Sequence, residues 1–187
     1  MNESTKLEEY RRRRDDFARY LNGHGIDIGC GPDKLKIPNG EVDGWDLQDG
    51  DARKMDGVPL NHYDFVYSSH CLEHLSDPII ALNRWIEILK PNGILYVVVP
   101  DFVLYEGGTW PSRFNPDHKF AFTLWELPCV VGTPLLGMLD IALQLGRKAN
   151  LLELRLEDME YNYQFTGMID QTIDDAVAQI CYIARKR

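Results

Sequence analysis

Gly25-Ile26-Asp27-Ile28-Gly29-Cys30-Gly31-Pro32 runs a short apolar strand straight into a Gly-x-Gly turn. Glycines at that point let the backbone turn tightly and let a ligand approach the main chain. The following chain keeps the same grammar. Glu41–Asp46 is a second candidate strand, and Tyr63–Ser68 a third, rich in aromatic and β-branched residues. Asp77-Pro78 opens a helix, with Asp77 as cap and Pro78 in the first turn. Ile79, Leu82, Trp85, Ile86 and Leu89 give that helix an apolar stripe. After the turn Pro91-Asn92-Gly93, the unbroken apolar run Ile94–Val99 suits a strand buried on both faces. Strands alternating with helical patterns predict an α/β fold around a mostly parallel sheet.

The flanking regions read less sharply. Thr5-Lys6-Leu7-Glu8 reads as a capping box, opening a helix to about Leu21 with Leu7, Tyr10, Phe17 and Leu21 on one face. Gly107-Gly108, Pro111 and Pro116 mark a long loop, and residues 120–147 read as mostly helical with a break near Pro134. Gln179–Ala184 is the final strand. Neither a repeat nor a linker is visible, so the 187 residues are expected to form one domain: a helix over 1–21, a cofactor-binding half over 22–101, and a substrate-side loop, helices and last strands over 102–187.

Composition removes several function classes. The net charge of −9 opposes the basic face that many phosphate contacts need. The run Arg11–Arg14 lies between Glu8-Glu9 and Asp15-Asp16, so Glu8–Arg12 and Glu9–Arg13 pairs on a helix account for it. A polymeric nucleic-acid substrate is therefore disfavoured. No window approaches the roughly 18 uninterrupted apolar residues of a membrane span, and no apolar leader is visible, so a cytoplasmic location is expected. Cys30, Cys71, Cys129 and Cys181 are scattered without a C-x-x-C pair and read as reduced, mostly buried thiols.

Two nucleotide ligands use a Gly-x-Gly turn of this kind. The dinucleotide fingerprint G-x-G-x-x-G requires a third glycine where Lys34 stands, and its pyrophosphate would be ill served by Asp27 just before the turn. S-adenosylmethionine carries no phosphate but has an ammonium group and a sulfonium, so a carboxylate at residue 27 is electrostatically sensible. Asp46 follows about twenty residues later, where an acid can accept both ribose hydroxyls. Asp51, in Gly50-Asp51-Ala52-Arg53, stands where a carboxylate can approach an adenine amino group. Taken singly, both acids read equally as surface residues.

Together these segments resemble the class I S-adenosylmethionine-dependent methyltransferases, especially the small UbiE/Coq5-like group. Asp27–Gly31 is similar to the family's D-x-G-C-G, Trp45-Asp46-Leu47 to the end of its second strand, and Gly50-Asp51-Ala52 to its G-D-A. Tyr63–Pro78, which contains Ser68-Ser69-His70-Cys71-Leu72-Glu73-His74, is similar to D-x-V-x-S-x-x-x-L-E-H-L-x-D-P, and Leu89–Leu95 to L-K-P-G-G-x-L with Asn92 in place of a glycine. The resemblance covers residues 25–101. It implies a Rossmann-like three-layer sandwich with a seven-stranded sheet and an antiparallel last strand, the sixth strand falling within Leu152–Leu156. It also implies a cofactor site: Gly29, Cys30 and Gly31 beside the methionine portion, Asp27 near its ammonium, Asp46 on the ribose, Leu47 against the adenine, Asp51 and Ala52 at the adenine edge, and Ser68 and Ser69 facing methionine and substrate. The donor would be S-adenosyl-L-methionine and the product S-adenosyl-L-homocysteine.

An oxygen acceptor of high pKa needs a base as well as alignment with the donor methyl. His70, after the Tyr63–Ser68 strand, and His118, in the 102–120 loop, are the candidates. Glu73 and His74 read as orienting residues. His70–His74 also matches the zinc-hydrolase pattern H-x-x-E-H, but it follows a strand directly instead of lying within a helix. Some quinone-pathway O-methyltransferases resemble this loop and bind a divalent cation through E-x-x-E-H; here His70 replaces the first glutamate, so no metal is expected. The [D/N/S]-P-P-[Y/F] motif of amino-methylating DNA enzymes is missing after Ser68-Ser69. A small-molecule, lipid-like or glycan acceptor is expected, in a pocket drawn from residues 1–21 and 102–160, with Trp110, Phe114, Phe120, Phe122 and Trp125 as candidate lining or core residues. Two rivals remain: a non-catalytic S-adenosylmethionine-binding module and an NAD-dependent oxidoreductase. Oligomeric state is not read from the sequence.

Overall fold

The computed structural model describes residues 3–125, 127 and 132–187; Cys129 lies outside them. The N-terminal segment forms three short helices, α1 (Glu3–Lys6), α2 (Glu8–Arg13) and α3 (Asp16–Arg19), instead of one continuous helix to Leu21. Thr5 does not cap: its amide donates to the Asp33 carboxylate at 2.9 Å and its hydroxyl bonds the same group. Asp15 sits at φ 61°, and this left-handed break turns Asp16 inward, where Tyr96 and Arg155 bond its buried carboxylate. The expected i,i+4 pairs form, Glu8–Arg12 at 2.7 Å and Glu9–Arg13 at 3.0 Å.

Among the described residues six strands make the main sheet: β1 (Gly23–Ile28), β2 (Gly40–Trp45), β3 (Tyr63–Ser69), β4 (Leu89–Pro100), β7 (Ala149–Glu157) and β8 (Gln179–Lys186). Their order is β2-β1-β3-β4-β8-β7, with β1 to β4 parallel and β8 antiparallel to both neighbours. Six rather than seven strands result because residues 52–62 form turns. That segment is too short for both a crossover helix and a strand, which together need roughly 15 residues or more. The β1–β2 connection carries no helix either. Leu35 from it packs with Phe17, Tyr20 and Leu21 against Phe65, Tyr67 and Tyr96, so the N-terminal helices cover that face of the sheet.

The other face is covered by α4 (Pro78–Ile88) and α5 (Met138–Leu145). Asp77 accepts from the Ile80 amide at 3.0 Å, the cap expected of Asp77-Pro78. Leu82, Trp85 and Ile86 are buried against Ile28, Val66 and Val97, each worth about 1.5–3 kcal/mol of burial. Residues 120–147, expected to be mostly helical, hold instead β5 (Ala121–Thr123) and β6 (Leu135–Gly137), a separate parallel pair, before α5. Phe122 explains the difference: it is fully buried, and its carbonyl accepts from the Phe102 amide at 2.8 Å, which ties the segment to the end of β4. Among the described residues no helix is long and apolar enough to cross a membrane.

Candidate functional site

Because β2 and β3 lie on opposite sides of β1, the chain reverses direction across the sheet between β1 and β3. Ligands of open α/β sheets bind at such a reversal, beyond the carboxyl ends of the strands. Two adjoining cavities of about 300 Å3 and 740 Å3 open there, a size that suits a nucleoside cofactor and its reaction partner. Gly29, His70, His74 and His118 border both.

The smaller cavity follows the glycine turn. Gly29 adopts φ 78°, and a Cβ there would meet the Cys71 side chain at 2.5 Å. Gly31, at φ 50°, has no atom within 4 Å of where a Cβ would stand. The first glycine thus admits the Cys71 turn, and the second leaves space for a ligand. Asp27 lies at the edge of this cavity, buried, with Oδ2 accepting from the Leu35 amide at 2.7 Å. Burial pushes its carboxyl up to about 7, against the Leu35 bond and the charge of Arg11, which act downward. A cationic ligand beside it would restore ionisation. Ser69 borders the same cavity, and among the described residues its buried Oγ has no hydrogen-bond partner. Ser68 does not: strand alternation turns it away, and its hydroxyl bonds the Ile28 carbonyl at 2.9 Å.

Trp45, Asp46, Leu47, Asp51 and Ala52 border the larger cavity. Asp46 Oδ1 accepts from the Leu47 amide at 2.9 Å, holding a short 3-10 turn. Leu47 is 92% exposed, a free apolar surface at the mouth. Asp51 is gripped by Arg53 through two side-chain bonds of 3.0 and 2.7 Å, which hold its carboxyl down at about 2. That carboxylate is committed to Arg53, where the sequence suggested it was available to a ligand. Trp85 and Arg84 of α4 bond the carbonyls of Ala52, Lys54, Met55 and Val58, so the helix fixes this wall.

Between the cavities lies a cluster that joins the His70–His74 segment to His118. Glu73 is fully buried, and among the described residues neither carboxylate oxygen has a hydrogen-bond partner. His70 Nδ1, His74 Nε2 and His118 Nε2 approach its Oε1 at 3.6, 3.9 and 4.0 Å. Burial pushes the Glu73 carboxyl up, but the three histidines outweigh it, and the net shift is downward. His70 adopts φ 53°, a left-handed conformation that is rare outside glycine and gathers at functional sites. The 102–120 loop is fastened here by its backbone, since the amides of Lys119 and Phe120 both donate to the Glu73 carbonyl. His118 Nδ1 bonds Glu106 at 2.8 Å.

Tyr105, Glu106, Asn115 and Gln179 have no sequence spacing that would link them to the turn. Of the aromatic residues read as lining or core, Trp110, Phe114, Phe120, Phe122 and Trp125, none borders either cavity. Phe122 is core, Phe120 packs against the core, Phe114 stacks on Tyr105, and Trp125 is exposed. Nor do residues 5–21 line either cavity; Thr5 reaches it only through Asp33.

A methyltransferase-domain family model matches residues 3–129. The chain belongs to that family. Its fold is that of the class I S-adenosylmethionine-dependent methyltransferases, and S-adenosylmethionine is the donor. One similar solved structure is an S-adenosylmethionine-dependent methyltransferase from Archaeoglobus fulgidus, 18% identical, with TM-score 0.57 over 100% of this chain and 95% of that one. Another, from Thermotoga maritima, is described as a possible histamine N-methyltransferase; it is 18% identical, with TM-score 0.56 and both chains fully covered. A third is a complex between the Haloferax volcanii Trm112 methyltransferase activator and a methyltransferase, 13% identical, with TM-score 0.58 over 98% of this chain and 93% of that one. No curated protein matches the sequence.

Proposed function

We propose that residues 1–187 act as one catalytic unit that methylates a small-molecule, lipid-like or glycan acceptor at oxygen, in the cytoplasm. The carrying observation is the pairing of two acids across one glycine turn: Asp27 borders the smaller cavity and Asp46 the larger, with Gly29 common to both. In this reading Gly29, Cys30, Gly31 and Ser69 hold the methionine portion, and Asp27 pairs with its ammonium. Asp46 takes the ribose, and Leu47 and Ala52 lie against the adenine. Asp51 acts through the wall it forms with Arg53. The bound donor supplies an electrophilic methyl group on a sulfonium.

The residues around the cavity do the rest. His70 Nε2 bonds the Gln179 side-chain oxygen at 3.0 Å, which orients the ring, and in this reading His70 takes the acceptor's proton while the acceptor oxygen takes the methyl. The imidazolium so formed faces the Glu73 carboxylate. His70 is preferred to His118 because its side chain is 22% exposed against 4%. A small acceptor is favoured by the net charge of −9 and by the 102–120 loop closing one side of the cavity. Free thiols at Cys30, Cys71 and Cys181 suit a reducing compartment. The motif likeness to the UbiE/Coq5-like group supports the same reading.

Thermal-shift measurements with S-adenosylmethionine, S-adenosylhomocysteine and NAD test the cofactor, since a bound ligand raises the melting temperature by mass action. The first two should stabilise the chain and NAD should not; stabilisation by NAD alone would reverse the assignment. Transfer of a labelled methyl group to a panel of hydroxylated small molecules and glycans then tests the acceptor class. Labelling of amines only would remove the oxygen assignment.

A further inference from the structure

We infer that Glu73, His74 and His118 form a binding site for one divalent transition-metal ion between the two cavities. Their ligand atoms all lie within 4.8 Å of one another. The proton positions make the case. His74 Nδ1 lies 3.2 Å from the Asp117 carbonyl, an acceptor only, so Nδ1 carries the hydrogen. His118 Nδ1 lies 2.8 Å from the Glu106 carboxylate and carries its hydrogen for the same reason. In each neutral ring Nε2 therefore presents a lone pair, and both lone pairs approach Glu73 Oε1, at 3.9 and 4.0 Å.

Three electron-rich atoms converging on one point call for a proton, a water or a cation between them. A proton alone fits poorly, because 3.9 Å is well beyond a charge-assisted hydrogen bond. A metal fits better: donors about 2.1 Å from one tetrahedral ion lie roughly 3.4 Å apart, so the two Glu73–imidazole distances must close by about half an ångström and no pair of the three by more than about 1.4 Å. Both oxygens of Glu73 are buried and have no hydrogen-bond partner among the described residues. Glu106 behind His118 and the Asp117 carbonyl behind His74 are the outer partners that metal-bound imidazoles use to fix their orientation. Two imidazoles and one carboxylate favour zinc-like ions over magnesium. The site borders both cavities, so a further coordination position opens to solvent or ligand. An acceptor bearing an oxygen or sulfur donor would fit that position; this last point rests on the methyltransferase reading, whereas the ion site does not.

The test uses the full chain, stripped with a chelator and dialysed. Zn2+ binding is followed by calorimetry, Co2+ binding by visible absorption, and Mg2+ serves as competitor. One ion per chain is expected, with ligand-field bands for Co2+ and no displacement by Mg2+. Glu73→Gln and His118→Gln should each weaken Zn2+ at least a hundredfold, and Glu106→Gln ten- to hundredfold. His74 is a third exposed, so His74→Gln keeps the test open if the buried variants do not fold. Failure to bind Zn2+ and Co2+ overturns the proposal, as does affinity unchanged in His74→Gln. Neither result touches donor binding, which the thermal-shift experiment reads separately.

Discussion

His70 Nε2 lies 3.0 Å from Gln179 Oε1, joining the end of β3 to the start of β8 across β4. The amide of Gln179 is oriented by its other side, where Nε2 donates to the Glu157 carboxylate. Its oxygen must then face His70, so His70 carries a hydrogen on Nε2.

Gln179→Leu removes that acceptor and should lower the turnover number about tenfold or more, while affinity for S-adenosylhomocysteine changes less than twofold. His70→Ala should lose roughly a hundredfold or more, within the range of general-base contributions. Initial rates of S-adenosylhomocysteine formation with an acceptor from the panel measure both. Full activity in His70→Ala would remove the base.

Asp27 makes donor binding pH-dependent. With its folded carboxyl at about 7 against an ordinary value of 3.8, the ligand-free fold binds more protons than the unfolded chain between those values. Stability of the ligand-free protein from this group is therefore greatest below about pH 4 and falls as pH rises to about 7. Binding a cationic ammonium favours the ionised form, so donor affinity should fall as pH drops below 7, by up to tenfold per unit. Asp27→Asn should flatten both trends. Calorimetric titration of S-adenosylmethionine from pH 5.5 to 8 reads the first, and a flat profile in the native chain would exclude Asp27 as the ammonium partner.

Asp46 serves two purposes that one substitution can separate. Asn retains the cap on the Leu47 amide but is a weaker acceptor for ribose hydroxyls. Asp46→Asn should weaken S-adenosylmethionine at least tenfold and leave the melting temperature within about 2 °C. Asp46→Ala should weaken binding as much and also lose about 1 kcal/mol of stability with the cap. Equal affinity in native and Asn forms contradicts the ribose role.

Gly25 tests the sheet beneath the turn. A Cβ there would stand 2.0 Å from the Phe65 ring on the neighbouring strand. Gly25→Ala should cost about 1–3 kcal/mol, the range for an overfilled core, seen as a lower urea midpoint with unchanged slope. An unshifted midpoint means that Phe65 has room to move aside.

Much of the cofactor half was legible because its signals are local. The Gly29–Gly31 turn, the Asp77 cap and the Ile94–Val99 run each depend on residues within a few positions, where backbone sterics and capping act. The N-terminal helix was misread because a capping box cannot report that Thr5 bonds Asp33, nor periodicity that Asp16 is drawn inward by Arg155. Asp51 showed its place but not its engagement by Arg53.

From sequence alone came the α/β alternation, the acids flanking the glycine turn and the histidines worth watching, since these follow from side-chain chemistry and short-range order. Tertiary structure alone decided that Glu73 is buried among three imidazoles, that Glu106 and Gln179 set their protons, and that Ser69 rather than Ser68 meets the cavity. The Glu106–His118 and His70–Gln179 contacts join residues 12 and 109 positions apart, and only the closing of the chain around a common core brings such distant groups within hydrogen-bond reach.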